Sequence, residues 1–165
     1  MGIDFYSTDI YRNVEKLAEV LRDRDWKLVT AESCTGGGLG HALTALAGSS
    51  NWYLGGVVAY SNQFKCRFLS VDESLIEEFG AVSKQVAIAM ARGMIQEPSA
   101  STAISITGIA GPEGGSKDKP VGLVWLGTND PDRGNRALQL NLAGSRNEIR
   151  HQAIEHAINF FLSGL

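Results

Sequence analysis

The 165 residues include two cysteines, Cys34 and Cys66, too few for a disulfide framework. Each stands beside a candidate site residue, which leaves a reactive thiol open next to the plainer role of a small buried side chain. The three histidines, His41, His151 and His156, form no H-E-x-x-H pattern. No Cys pair or Asp/Glu cluster has ligand spacing, so neither a metal site nor a cofactor is expected. No apolar run approaches the roughly 20 residues that cross a bilayer, so no membrane partner is expected. The N-terminus, MGIDFYSTDIY, carries acids and lacks the basic region of a secretory signal. Gly2 after Met1 is a weak start for acylation, unsupported by Asp4 and Phe5. The expected location is cytoplasmic. With 15 basic against 18 acidic residues and a net charge of -3, no basic face meets a phosphate backbone, which excludes nucleic acid as a partner.

What is present is the composition of an ordinary folded domain, 44% hydrophobic and 20% charged, long enough to bury a core. No repeat or linker interrupts it, and residues 1–165 are expected to form one domain. Apolar spacing predicts a first helix from Thr8 or Asp9 to Arg24, with Asp9 as its cap and Ile10, Val14, Leu17, Ala18 and Leu21 as its inner stripe. A strand, Trp26 to Ala31, leads into a polar elbow, followed by a helix from Gly36 to Ala47. A second strand, Gly56 to Tyr60, precedes a short helix capped by Asn62, one capped by Asp72 and stopped at Gly80, and one capped by Ser83. The remaining strands are Thr102 to Ile106, Val121 to Leu126 and Ala137 to Leu142. The long Gly108–Pro120 connection suggests an antiparallel pair, whereas the last strand returns parallel to Thr102–Ile106. Ser145 and Glu148 form a capping box for the final helix. The fold class is α/β: a three-layer α/β/α sandwich on a mixed, mostly parallel sheet of about five strands.

Open α/β sheets bind ligands at the carboxyl ends of their strands. There this topology gathers Ser33, Thr35, Tyr60, Asn62, Lys65, Thr107 and Arg146. In the elbow, Glu32-Ser33-Cys34-Thr35-Gly36-Gly37-Gly38, glycines permit a sharp turn and close approach to a ligand. The first helical N–H groups would favour an anion or an oxyanion, although a plain cap with glycine packing explains the segment equally well. It is not a phosphate-binding Gly-Lys-Ser/Thr loop, and dinucleotide spacing is absent. Ser33, Cys34 and Thr35 compete as nucleophile, with intrinsic reactivity favouring the thiol. A cysteine wants a histidine partner, and none is suitably placed. Lys65, near a helix N-terminus that disfavours its charge, suits a general base, against the ordinary fate of a solvated lysine. Tyr60 is positioned to share the proton path or to stack on an aromatic ring. Arg146, in the first turn of the last helix, suits a phosphate; its plain alternative is pairing with Glu148 or Glu32. The loop from Thr107 and Gly108 to Ser116 is a pocket wall, a lid or a long hairpin connection.

TAESCTGG, AGSS before Trp52, VAYSNQFK, FGAVS, SITGIAGPEGG, KPVG and the final GSR-helix together resemble the CinA C-terminal domain family, in particular its stand-alone nicotinamide-nucleotide amidohydrolases. The resemblance spans about Leu17 to Leu162, without the extra N-terminal domain of the two-domain members. It implies deamidation of nicotinamide mononucleotide to nicotinate mononucleotide and ammonia, without metal, in pyridine nucleotide recycling. It assigns catalysis to Ser33, Lys65 and Tyr60 and substrate binding to Thr35, Gly36, Gly37, Asn62, Thr107, Gly108 and Arg146. The partners implied are a phosphorylated pyridine nucleotide and a second copy of the chain in a homodimer. A catalytically silent nucleotide-binding module would use the same loops and Arg146, but would not need a lysine of lowered pKa. The exposed aromatics expected near Trp52 and Tyr53 are candidates for the dimer face.

Overall fold

Five strands hydrogen-bond in the order β2-β1-β3-β4-β5 in the computed structural model, which describes residues 6–163 and Leu165. The start weighed for acylation, Met1–Gly2, lies outside the described residues. β1 (Leu28–Glu32) pairs in parallel with β2 (Tyr53–Val58) and β3 (Thr102–Gly108). β4 (Leu123–Asp130) runs against β3 and against β5 (Gly134–Asn141), so β5 points the same way as β1 to β3. The α/β class and the mixed sheet agree with the sequence-based expectation.

Three helices, α1 (Thr8–Asp23), α2 (Gly38–Thr44) and the last helix, α6 (Arg146–Leu162), pack on one face. Ile10, Val14, Leu17, Ala18 and Leu21 of α1 are all buried, and each of the larger ones contributes about 1.5–3 kcal/mol by leaving water. They meet Leu28, Ile104, Ile106, Val124 and Leu126 from the sheet. The other face is covered by α3 (Asn62–Leu69), α4 (Glu73–Phe79) and α5 (Lys84–Met94). Where α5 crosses β3 and β4, small strand residues face it. Ser105 Oγ donates to the Ala87 carbonyl at 2.6 Å, and β4 presents Gly127 to the same helix, so α5 rides close to the sheet.

Several boundaries differ from expectation for physical reasons. Ser7, not Asp9, caps α1 by accepting from Ile10 N–H, and Ser61, not Asn62, caps α3 by accepting from Phe64 N–H. Asp72, Ser83 and the Ser145–Glu148 capping box act where expected. β1 starts at Leu28 rather than Trp26, and α2 starts at Gly38 rather than Gly36, because Gly36 and Gly37 take positive φ angles of 61° and 91°. β2 begins at Tyr53 and stops at Val58. β4 and β5 run on through the polar residues 127–136, because the buried Asp130 accepts from Asp132 and Arg133 N–H and closes a tight turn there. Trp52 is buried at 1% exposure, and Tyr53 is half-buried with its hydroxyl 2.8 Å from Thr30 Oγ1, so neither forms an exposed aromatic face. The exposed large apolar residues of β2 and its surroundings are instead Leu54, Val58, Tyr60, Phe64 and Phe68. Among the described residues, no helix is long and apolar enough to cross a membrane.

Candidate active site

Ser33 is the first residue beyond β1, held by its N–H donating to the Ile106 carbonyl of β3 at 2.9 Å. Lys65 lies in the first half of α3, which follows the neighbouring β2. Its Nζ lies 3.2 Å from Ser33 Oγ and donates to the Tyr60 carbonyl at 3.4 Å. Lys65 is only 2% exposed, and Ser33 only 7%. A buried ammonium loses its hydration, and this desolvation holds the Lys65 pKa below the ordinary lysine value. No carboxylate is among the groups acting on that amine; Cys34 and Cys66 push its pKa weakly the other way. A hydroxyl beside an amine that gives up its proton readily is the arrangement that a nucleophile–base pair requires.

The two side chains open into a cleft of about 250 Å³. Its walls include Cys34, Tyr60 and Asn62 on one side and Thr107 to Gly111, Glu113 and Gly114 on another. The Thr107 hydroxyl donates to the Ala81 carbonyl at 2.9 Å. Ala81 and Val82, from the α4–α5 connection, complete the wall. Arg146 reaches the cleft from the start of α6. Its Nη1 donates to the Gly111 carbonyl at 2.7 Å and its Nη2 to the Tyr60 hydroxyl at 3.0 Å. These contacts aim the guanidinium and use two of its five N–H donors, leaving the others for an anion. It pairs with neither Glu148, which serves the capping box, nor Glu32.

Thr35, Gly36 and Gly37 do not line this cleft. The Thr35 hydroxyl donates to Glu32 Oε2 at 2.7 Å. Glu32, 2% exposed, also accepts from Leu39 N–H at 3.0 Å and Gly40 N–H at 2.8 Å. The first turn of α2 is therefore closed by an internal carboxylate, and those helical N–H groups are not free to meet a ligand. Two grips hold the elbow: Glu32 from within, and Arg150, whose Nη2 donates to the Thr35 carbonyl at 2.9 Å. Sequence reasoning names Glu32 only as part of the elbow and as a possible partner of Arg146, and passes over Arg150. Arg150 stands four residues after Arg146 on one helix, a spacing that puts both guanidiniums on the same face. Glu32 ends a strand whose other residues are all buried, an unusual place for an acid without a task.

Burial pushes the Cys34 thiol up to about 11, so it remains protonated at neutral pH. Among the described residues, no group of three or more His, Cys, Asp or Glu side chains is arranged to hold a metal ion.

Comparison with known proteins gives a consistent picture. The family model described as the CinA C-terminal domain matches residues 11–165. A protein of Enterobacter agglomerans named nicotinamide-nucleotide amidohydrolase PncC is 44% identical over 138 residues, 84% of each chain. A CinA-like protein of Salinibacter ruber is 48% identical over 139 residues, covering 84% of this chain and 31% of its own length. The chain thus spans about a third of the length of the CinA-like proteins that it matches. The crystal structure of a competence/damage inducible protein from Agrobacterium tumefaciens superposes with a TM-score of 0.93 at 36% identity, covering 99% of this chain and 98% of that one.

Proposed function

The chain belongs to the CinA C-terminal domain family, and from that membership we propose that it is a cytoplasmic serine amidohydrolase that deamidates nicotinamide mononucleotide. The observation that carries the proposal is the 3.2 Å approach of Lys65 Nζ to Ser33 Oγ inside a cleft that also holds Arg146. The name borne by the E. agglomerans relative supports the same substrate.

Neutral Lys65 accepts the Ser33 proton as Oγ attacks the carboxamide carbon of the pyridine ring. The carbonyl oxygen becomes an oxyanion, which backbone N–H groups of the cleft wall stabilise. Such a donor is typically worth about 3 kcal/mol to the transition state. The tetrahedral adduct collapses as Lys65 returns the proton to the departing nitrogen. Ammonia leaves, and the nicotinoyl group remains esterified to Ser33. Water then adds to the ester carbon, giving its proton to Lys65. The second collapse breaks the Ser33 ester, returns that proton to Oγ and releases nicotinate mononucleotide. Arg146 anchors the 5′-phosphate, and the Tyr60 hydroxyl holds Arg146 in place, so remote binding energy orients the reacting amide. Tyr60 thus contributes through Arg146 with its hydroxyl and through Lys65 with its carbonyl.

The test is ammonia release from nicotinamide mononucleotide, its riboside and free nicotinamide. The mononucleotide is expected to be strongly preferred. No ammonia from any of the three would overturn the activity, and equal use of the riboside would overturn the role of Arg146. A silent binding module has no use for a buried lysine against a serine, which favours the enzyme. The proposed assembly is a homodimer joined through the exposed apolar side chains of β2 and α3, with a solution mass twice the 17.7 kDa of the chain.

A further inference from the structure

Lys119 lies at the far end of the Gly-rich connection, outside the cleft, yet it touches the opposite wall. Its Nζ donates to the carbonyls of Phe79 at 2.5 Å and Val82 at 2.9 Å. Phe79 is the last residue of α4, where carbonyls have no helical partner and negative potential gathers, so an ammonium is well placed. The seat is tight: a Cβ at Gly80 would lie 2.5 Å from Nζ. Lys119 is itself held, because its N–H donates to Ser116 Oγ at 3.0 Å and its carbonyl accepts from Ser116 N–H at 2.8 Å. Between the two carbonyls that it binds lies Ala81, whose own carbonyl takes the Thr107 hydroxyl. Ala81 and Val82 form one cleft wall, and the segment from Thr107 to Gly114 forms the facing one.

We infer that Lys119 is a positioning residue: its ammonium ties the Gly-rich connection to the α4–α5 turn and so sets the spacing of the two walls that receive substrate. It touches no reacting atom. Its removal therefore weakens the fit of substrate and leaves the Ser33–Lys65 pair intact. The kinetic part of this inference rests on the deamidase activity proposed above, whereas the mechanical part does not.

The experiment compares Lys119→Met and Lys119→Arg with the wild type by steady-state kinetics on nicotinamide mononucleotide and by amide hydrogen exchange. In Lys119→Met, KM is expected to rise about fivefold to tenfold while kcat changes by less than about twofold. Lys119→Arg, which keeps the charge and the donors but must fit a bulkier head into the same seat, is expected to raise KM less than Lys119→Met does. Exchange in residues 80–83 and 109–115 is expected to speed up about tenfold in Lys119→Met, with β1 unaffected. Unchanged exchange in those segments overturns the tie. Unchanged KM overturns the positioning role, even if the melting temperature falls. A wild type that releases no ammonia defeats the deamidase reading alone, and the exchange comparison still decides whether Lys119 joins the walls.

Discussion

Lys65 Nζ stands 3.2 Å from Ser33 Oγ although 32 residues separate them along the chain. The contact arises because β1 and β2 are adjacent and parallel, so the segments leaving their carboxyl ends emerge side by side. α3 then turns Lys65 inward, while Phe64 and Phe68 of the same helix face outward.

Ser33→Ala and Lys65→Met are each expected to lower ammonia release by roughly 10³-fold or more, since either change removes one half of the proposed nucleophile–base unit. Circular dichroism and thermal melting should show both proteins folded. Near-normal turnover in Ser33→Ala would remove Ser33 as nucleophile.

The lowered pKa of Lys65 has two consequences of known sign. In the proposed mechanism turnover needs the neutral amine, so kcat/KM is expected to fall as pH drops through the folded-state pKa and to level off above it, with a midpoint below that of an ordinary lysine. Stability follows the same direction. Between the folded and unfolded pKa values the unfolded chain holds the extra proton, so stability increases with pH across that window. Lys65→Met removes this term. Its stability relative to wild type is therefore expected to be greatest at the low end of the window and to shrink above it. Urea titrations at several pH values measure this; a pH-independent difference would contradict the depressed pKa.

Cys34→Ala is expected to keep turnover within a few-fold of wild type. With its thiol at about 11, the thiolate fraction at pH 7 is only roughly one part in ten thousand. Alkylation by iodoacetamide at neutral pH should be correspondingly slow. An inactive Cys34→Ala protein would make the thiol the nucleophile.

Glu32→Gln keeps the shape and removes the charge from a buried carboxylate that accepts three hydrogen bonds. An amide nitrogen facing one of those donors leaves it unpaired, at an expected cost of about 2–4 kcal/mol. Urea unfolding should read that loss, and kcat should fall as the elbow loosens around Ser33.

Gly93→Ala runs against helix propensity. In an open helix the change would stabilise by about 1 kcal/mol. Here a Cβ would come 1.9 Å from the Leu69 carbonyl oxygen, where α5 passes the end of α3. A destabilisation of roughly 1–3 kcal/mol is expected instead, read from the urea midpoint.

The sheet was legible because its strands carry alternating or fully apolar runs, and the long Gly-rich connection correctly signalled the antiparallel strand. The gathering of Ser33, Tyr60, Asn62, Lys65, Thr107, Gly108 and Arg146 around one cleft follows from that topology. The inward or outward aim of single side chains did not. Thr35, Gly36 and Gly37 adjoin Ser33 in sequence but lie behind the cleft, because the elbow folds around Glu32. Ser7 and Ser61 took the capping roles expected of Asp9 and Asn62, since serines one or two residues upstream open each helix earlier and accept from Ile10 and Phe64 N–H. Trp52 carried no sign of its burial, which comes from its joining the core cluster that includes residues of α1, α2 and α6. Lys119 stands in the KPVG segment, but its hold on Phe79 and Val82 depends on contacts 40 and 37 residues away.

β4 alone opposes its neighbours, and this reversal brings both ends of the preceding connection to the same rim. Ile109 N–H donates to the Leu123 carbonyl at 2.9 Å, and Gly122 N–H to the Ile109 carbonyl at 2.8 Å, stapling that hairpin shut at its base. Residues can be gained or lost beyond the staple without displacing a rung of any ladder. Changes confined to this surface excursion can therefore reshape one wall of the cleft while the approach of Lys65 to Ser33 stays as it is.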